Sequence, residues 1–199
     1  GFLSCASLGC GGGTPVAPIY GTPVVIDDLV YIAGYNGKIY AYKTDNLAQR
    51  WVYPREGYLQ AFVGGIVAYD NKLFIGCLDG KVYALDAFPG DLLFSYKTGS
   101  KVWGTPAVDP ATNTLYIGSY DKIFYALSTD DLSLKWQYAT EGSIVSKPLV
   151  ENGIVYFGSF DRNLYALNAG NGKLVWKFFG KNWFWAQPVI INGALYAAC

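Results

Sequence analysis

Four copies of one twelve-residue pattern constrain this chain more than any other feature: YAYKTDNLAQRW at Tyr40, YALDAFPGDLLF at Tyr83, YALSTDDLSLKW at Tyr125 and YALNAGNGKLVW at Tyr165. In each copy a large aromatic residue falls eleven positions after the tyrosine, at Trp51, Phe94, Trp136 and Trp176. Two further markers hold the same register. One is a run that begins GTPVV at Gly21, GGIVA at Gly64, GTPAV at Gly104, SKPLV at Ser146 and AQPVI at Ala186; the other is KLFIGCLDG at Lys72, TLYIGSYDK at Thr114 and IVYFGSFDR at Ile154. The period is about 41 residues, so the chain is one supersecondary unit repeated and its fold is the way the units stack.

Each period contains four short runs rich in Val, Ile, Tyr and Phe, separated by turn residues, which predicts four antiparallel strands and no helix. Asn36-Gly37 and Asp79-Gly80 read as two-residue hairpin turns, where both central positions need positive φ. Four-stranded units of this length predict an all-β propeller. The organisation expected is a Gly-rich leader over residues 1–17 and a partial propeller over residues 18–199. Its blades span residues 18–58, 59–100, 101–143 and 144–183, with a half blade at 184–199. Within YALNAGNGKLVW, Tyr165 and Leu167 share one strand face and Ala166 the other, where a small side chain lets the adjacent sheet approach. The closing aromatics Trp51, Phe94, Trp136 and Trp176 are therefore expected to dock between blades, each burial contributing ~2–3 kcal/mol.

The spacing Ala166-x-Asn168-x-x-Asn171-Gly172-x-x-x-Trp176 resembles the tryptophan-docking motif of the pyrroloquinoline-quinone-like propeller repeats. Those repeats occur in quinoprotein alcohol dehydrogenases and in the outer-membrane assembly lipoprotein of the β-barrel assembly machinery. Copies at Ala41, Ala84 and Ala126 match less fully, with Phe94 in place of one tryptophan and glycine absent from two turns. The resemblance covers about Pro18 to Cys199 and implies a ring of seven or eight blades, of which about four and a half are written here. It also implies that an enzyme of this family would bind its quinone over the propeller centre, with calcium, acidic and basic groups, and in many members a pair of adjacent cysteines.

Composition removes several function classes. The chain has 199 residues, 52% of them hydrophobic, and no histidine, so a Ser-His-Asp triad, a Cys-His pair and a His-ligated metal site are absent from it. Fifteen basic residues balance fifteen acidic ones, without the uniform field that nucleic acid needs, so nucleic acid is not expected as a partner. No apolar stretch reaches the ~18 residues of a membrane-spanning helix. The cysteines, Cys5, Cys10, Cys77 and Cys199, have no CxxC spacing. The leader GFLSCASLGCGGG resembles a lipoprotein processing site, with Cys10 as lipid anchor and Gly11–Gly13 as tether, although Ser7 stands where such sites carry leucine.

Three groups of residues are candidates for chemistry. Cys77 fills a repeat position held elsewhere by Gly34, Ser119 and Ser159, which favours a buried structural thiol. Asp79, Asp121 and Asp161 recur at one turn position, which favours a hairpin role over calcium binding. The linkers ahead of each first strand carry Tyr20, Phe62, Trp103, Val145 and Trp185, an aromatic rim suited to a peptide or protein partner. Trp185 aligns with Trp103 and Phe62 as the packing residue, which leaves Trp183 as the more exposed partner contact. The function expected is a non-catalytic, protein-binding propeller of the cell envelope, without a cofactor. The alternatives are a fragment of a quinone-dependent alcohol or aldose dehydrogenase using PQQ with calcium, or a cytoplasmic propeller fused to a signalling or synthetase domain.

Overall fold

The computed structural model describes residues 17–199. Among these residues, eighteen strands and no helix form four four-stranded antiparallel sheets and one two-stranded sheet. The first blade holds β1 (Val24–Ile26), β2 (Leu29–Ala33), β3 (Ile39–Lys43) and β4 (Gln49–Tyr53). The second holds β5 (Val67–Tyr69), β6 (Lys72–Gly76), β7 (Lys81–Asp86) and β8 (Leu92–Lys97). The third holds β9 (Ala107–Asp109), β10 (Thr114–Gly118), β11 (Ile123–Ser128) and β12 (Leu134–Ala139). The fourth holds β13 (Leu149–Glu151), β14 (Ile154–Gly158), β15 (Asn163–Asn168) and β16 (Leu174–Phe179). A fifth pair, β17 (Val189–Ile191) and β18 (Ala194–Tyr196), repeats the first half of a blade. In every full blade the strands lie side by side in chain order, and β1, β5, β9 and β13 contact one another in series, so the first strands line the inside of the arc.

Side-chain alternation along the strands gives each blade two apolar faces, and the core is the series of seams between them. Tyr31, Ile39, Ala41 and Trp51 of the first blade pack against Leu73, Ile75, Tyr83 and Leu85 of the second. The opposite face of the second blade, with Phe74, Val82 and Ala84, meets Leu115, Ile117, Tyr125 and Leu127 of the third. Tyr116, Phe124 and Ala126 then meet Val155, Phe157, Tyr165 and Leu167 of the fourth. Ala41, Ala84, Ala126 and Ala166 are all fully buried at the point where register shifts in the third strand. Outer strands β8 and β16 are mostly exposed.

The turns differ from the sequence expectation in one respect. Asn36-Gly37 and Asp79-Gly80 are not two-residue turns: five residues separate the paired Ala33 and Ile39, and likewise Gly76 and Val82. Only one residue of each such loop has positive φ, at Gly37 (74°), Gly80 (84°), Lys122 (71°) and Arg162 (70°). The aspartate ahead of it makes a local turn, as when Asp79 Oδ1 accepts the Lys81 N–H at 2.9 Å. Turns with positive φ at both central residues lie between first and second strands, at Asp70-Asn71, Asn152-Gly153 and Asn192-Gly193.

Candidate protein-interaction face

In an antiparallel blade taken in chain order, the linkers into the next blade and the turns between second and third strands share one end. Backbone hydrogen bonds join them there: Leu78 N–H donates to Ala61 C=O, Tyr120 N–H to Lys101 C=O and Phe160 N–H to Ser143 C=O, at 2.9–3.1 Å. The linkers are extended, so alternate residues point to opposite sides. Phe62, Val102, Ile144 and Phe184 point inward, are buried, and donate their N–H groups to Gly34, Cys77, Ser119 and Ser159.

That register corrects the expected rim. Phe62 is completely buried and cannot contact a partner; the residue matching Trp103, Val145 and Trp185 is Val63. Phe62 stands one residue out of register, since Val63 precedes Gly64 as Trp103 precedes Gly104; the linker from β4 to β5 runs thirteen residues, 54–66, whereas the other three run nine. The expected order of Trp183 and Trp185 also reverses. Both flank the buried Phe184 and both are exposed, but Trp183 stacks on Phe160 at 5.1 Å, while Trp185 is the more exposed at 62%. Trp103 is exposed as well and packs on Tyr120 at 5.9 Å, and Tyr20 packs on Tyr35 at 5.6 Å. Tyr20, Trp103 and Trp183 thus each lean on the residue that precedes a turn's aspartate or asparagine, a pairing that only the three-dimensional register reveals.

The docking aromatics separate into two groups. The indole Nε1 of Trp51 donates to the Ala87 carbonyl and that of Trp136 to the Ala169 carbonyl, both at 2.9 Å. Each ring covers a glycine of the next blade, Gly90 or Gly172, in the left-handed region. Trp176 and Phe94 do not meet the same expectation: both remain more than a third exposed. Trp176 has no hydrogen-bond acceptor among the described residues, where the next sheet consists of the pair β17–β18. For Phe94 the reason is local, because the third blade carries Leu132 in place of the turn glycine and that side chain is itself buried in the seam.

The recurring aspartates are saturated from within. Asp79, Asp121 and Asp161 each accept a backbone N–H two residues on and the hydroxyl of the tyrosine four residues on. Burial works to raise the Asp161 carboxyl, yet bonds from Tyr165, Asn163 and Glu141 outweigh it and hold the group below the usual range. Burial pushes the Cys77 thiol up to about 12, and its Sγ lies 3.2 Å from the Gln60 carbonyl, so it is a protonated packing residue. Among the described residues no three His, Cys, Asp or Glu side chains stand where they could hold a metal, and the described cysteines, Cys77 and Cys199, are not adjacent. These residues do not supply the acidic and disulfide groups that a quinone-and-calcium site calls for. Cys10 lies outside the described residues.

Four-stranded blades, a tryptophan bonded to the next blade and an end face of exposed aromatics define the chain as a propeller of the tryptophan-docking class. A family model described as outer membrane protein assembly factor BamB matches residues 13–101 and 58–177, and the chain belongs to this PQQ-like repeat family. Outer membrane protein assembly factor BamB of Taylorella asinigenitalis is 29% identical over 148 residues, covering 70% of this chain and 36% of that protein. A 1-butanol dehydrogenase (cytochrome c) of Thauera butanivorans is 29% identical over 90 residues, or 41% of this chain and 12% of that one. Among solved structures, BamB from Moraxella catarrhalis superposes with a TM-score of 0.78 at 21% identity, covering 92% of this chain and 59% of that one. The chain spans roughly a third or less of the two curated relatives.

Proposed function

We propose that this propeller is a non-catalytic protein-binding module of the cell envelope, presenting its linker end to a partner protein. The observation that carries the reading is that end's row of aromatics, Tyr20, Tyr35, Tyr58, Trp103, Trp183 and Trp185, which remain 40–80% exposed even where one ring leans on another. Exposed aromatic clusters of this kind are characteristic of protein-binding surfaces. Likeness to proteins named as outer membrane assembly factors supports an envelope location and a protein partner. The experiment is capture from solubilised envelopes by the parent chain and by Trp103→Ala with Trp185→Ala. A protein retained by the parent and lost with the folded double variant is the expected result; equal retention contradicts the reading.

Similarity to a butanol dehydrogenase motivates a second reading, in which the chain is part of a quinone-dependent dehydrogenase. In that case adding PQQ and calcium should produce alcohol-dependent reduction of an artificial electron acceptor. No turnover is expected.

A further inference from the structure

We infer that the aromatic end of the propeller takes an extended acidic segment of its partner, seated in the cleft between the first and second blades; this rests on the protein-binding reading above. The charges of this neutral chain are sorted by end. Assigned by the turn or strand end on which each lies, the linker end carries nine of the fifteen lysines and arginines but five of the fifteen acids, one of the nine, Arg55, reaching over to pair with Asp91 of the other ten. Three of those five acids are Asp79, Asp121 and Asp161, whose oxygens already accept tyrosine hydroxyls and backbone N–H groups. Only two ion pairs form among the described residues, so Lys101, Lys122 and Lys181 of this end have no carboxylate partner there. Unpaired cations beside apolar aromatics are complementary to carboxylates interleaved with apolar side chains.

The longer first linker supplies the seat. Its extra residues raise Tyr58, 80% exposed, above a cleft of about 550 Å³ that Tyr35, Leu59, Gln60 and Leu78 also line. Leucines form its apolar lining. The hydroxyls of Tyr35 and Tyr58 and the amide of Gln60 have no hydrogen-bond partner among the described residues, so they are available to a peptide backbone. Lys101 lies on the next linker, where the adjacent Val102 N–H donates to the carbonyl of Cys77, the neighbour of Leu78.

The test is fluorescence anisotropy on the full chain with three short labelled peptides of leucine and proline interspersed with glutamate, lysine or glutamine. The glutamate peptide should bind at least about tenfold more tightly than the other two, and less well as salt rises. Tyr58→Ala and Lys101→Glu should each weaken it about tenfold while unfolding at the parent's midpoint, since both side chains are exposed. Preference for the lysine or glutamine peptide, or unchanged affinity in Tyr58→Ala, overturns the acidic-segment inference and leaves the protein-binding reading standing. Binding to phosphatidylglycerol vesicles with no peptide binding assigns the face to lipid and overturns both. Failure of every peptide, in a chain that still captures a partner through Trp103 and Trp185, overturns the cleft alone.

Discussion

Tryptophan has opposite roles in two regions of this molecule. In the seams, Trp51 and Trp136 lie against a glycine turn and bond the next blade's carbonyl; on the linker end, Trp103 and Trp183 lean on a single ring each, Trp185 on none, and all three are exposed. Trp176 belongs by sequence to the first group and by exposure to the second. Its own blade prepares it fully: Tyr156 lies 5.9 Å away at 45°, against 5.7 Å and 46° for Tyr116 and Trp136. The donor half of the docking contact is therefore local to one blade, and the acceptor half, a carbonyl and a left-handed glycine, comes from the following one.

The largest expected effect divides these groups. Trp136→Ala should cost ~3–5 kcal/mol in urea unfolding, as large-to-small aromatic truncations do, and Trp176→Ala less than about 1 kcal/mol. Equal losses would break the distinction. Next in size is the acceptor side. Gly172 has φ of 71°, and a Cβ there would sit 2.6 Å from the Trp136 ring, whereas Gly193 has φ of 77° with nothing within 4 Å. Gly172→Ala should cost roughly 2–3 kcal/mol and Gly193→Ala about 1 kcal/mol, the left-handed strain without the collision.

A smaller effect tests the hydroxyls that flank the indoles. Tyr116 Oη donates to the same Ala169 carbonyl as Trp136, at 2.8 Å, while the Tyr31 hydroxyl is buried with no partner. Tyr116→Phe should destabilise by about 1 kcal/mol, and Tyr31→Phe should be neutral or stabilising, because removing an unsatisfied buried hydroxyl removes its desolvation cost. The smallest effect is at the linker end. With its folded carboxyl held below its unfolded value, Asp161 adds stability that is present above about pH 3.9 and is lost as pH falls through the folded value. Tyr165→Phe should lower the urea midpoint at neutral pH, and its gap from the parent should close on acidification.

The repeat period, the strand order and two of the four docking positions, Trp51 and Trp136, were legible because apolar alternation and an eleven-residue interval are set within each repeat. The rim was less legible. The stretch from Trp51 to Gly64 is three residues longer than its counterparts, and within it Val63, not the buried Phe62, falls in line with the exposed tryptophans. The signal was available in principle: the GG pair at Gly64 lies farther from Trp51 than Gly104 does from Phe94. Leaning pairs such as Trp183 on Phe160, and the end-to-end sorting of charge, depend on which turns share an end, which no local pattern encodes.

The most direct test of the division between seam and rim is one titration. Indole NMR signals of the six tryptophans should be followed in the 199-residue chain as the glutamate peptide is added. Trp103, beside the cleft, should shift, while Trp51 and Trp136 stay fixed and exchange slowly with solvent behind their carbonyl bonds. A shift at Trp51 or Trp136 with none at Trp103, or fast exchange of the two seam indoles, would contradict it.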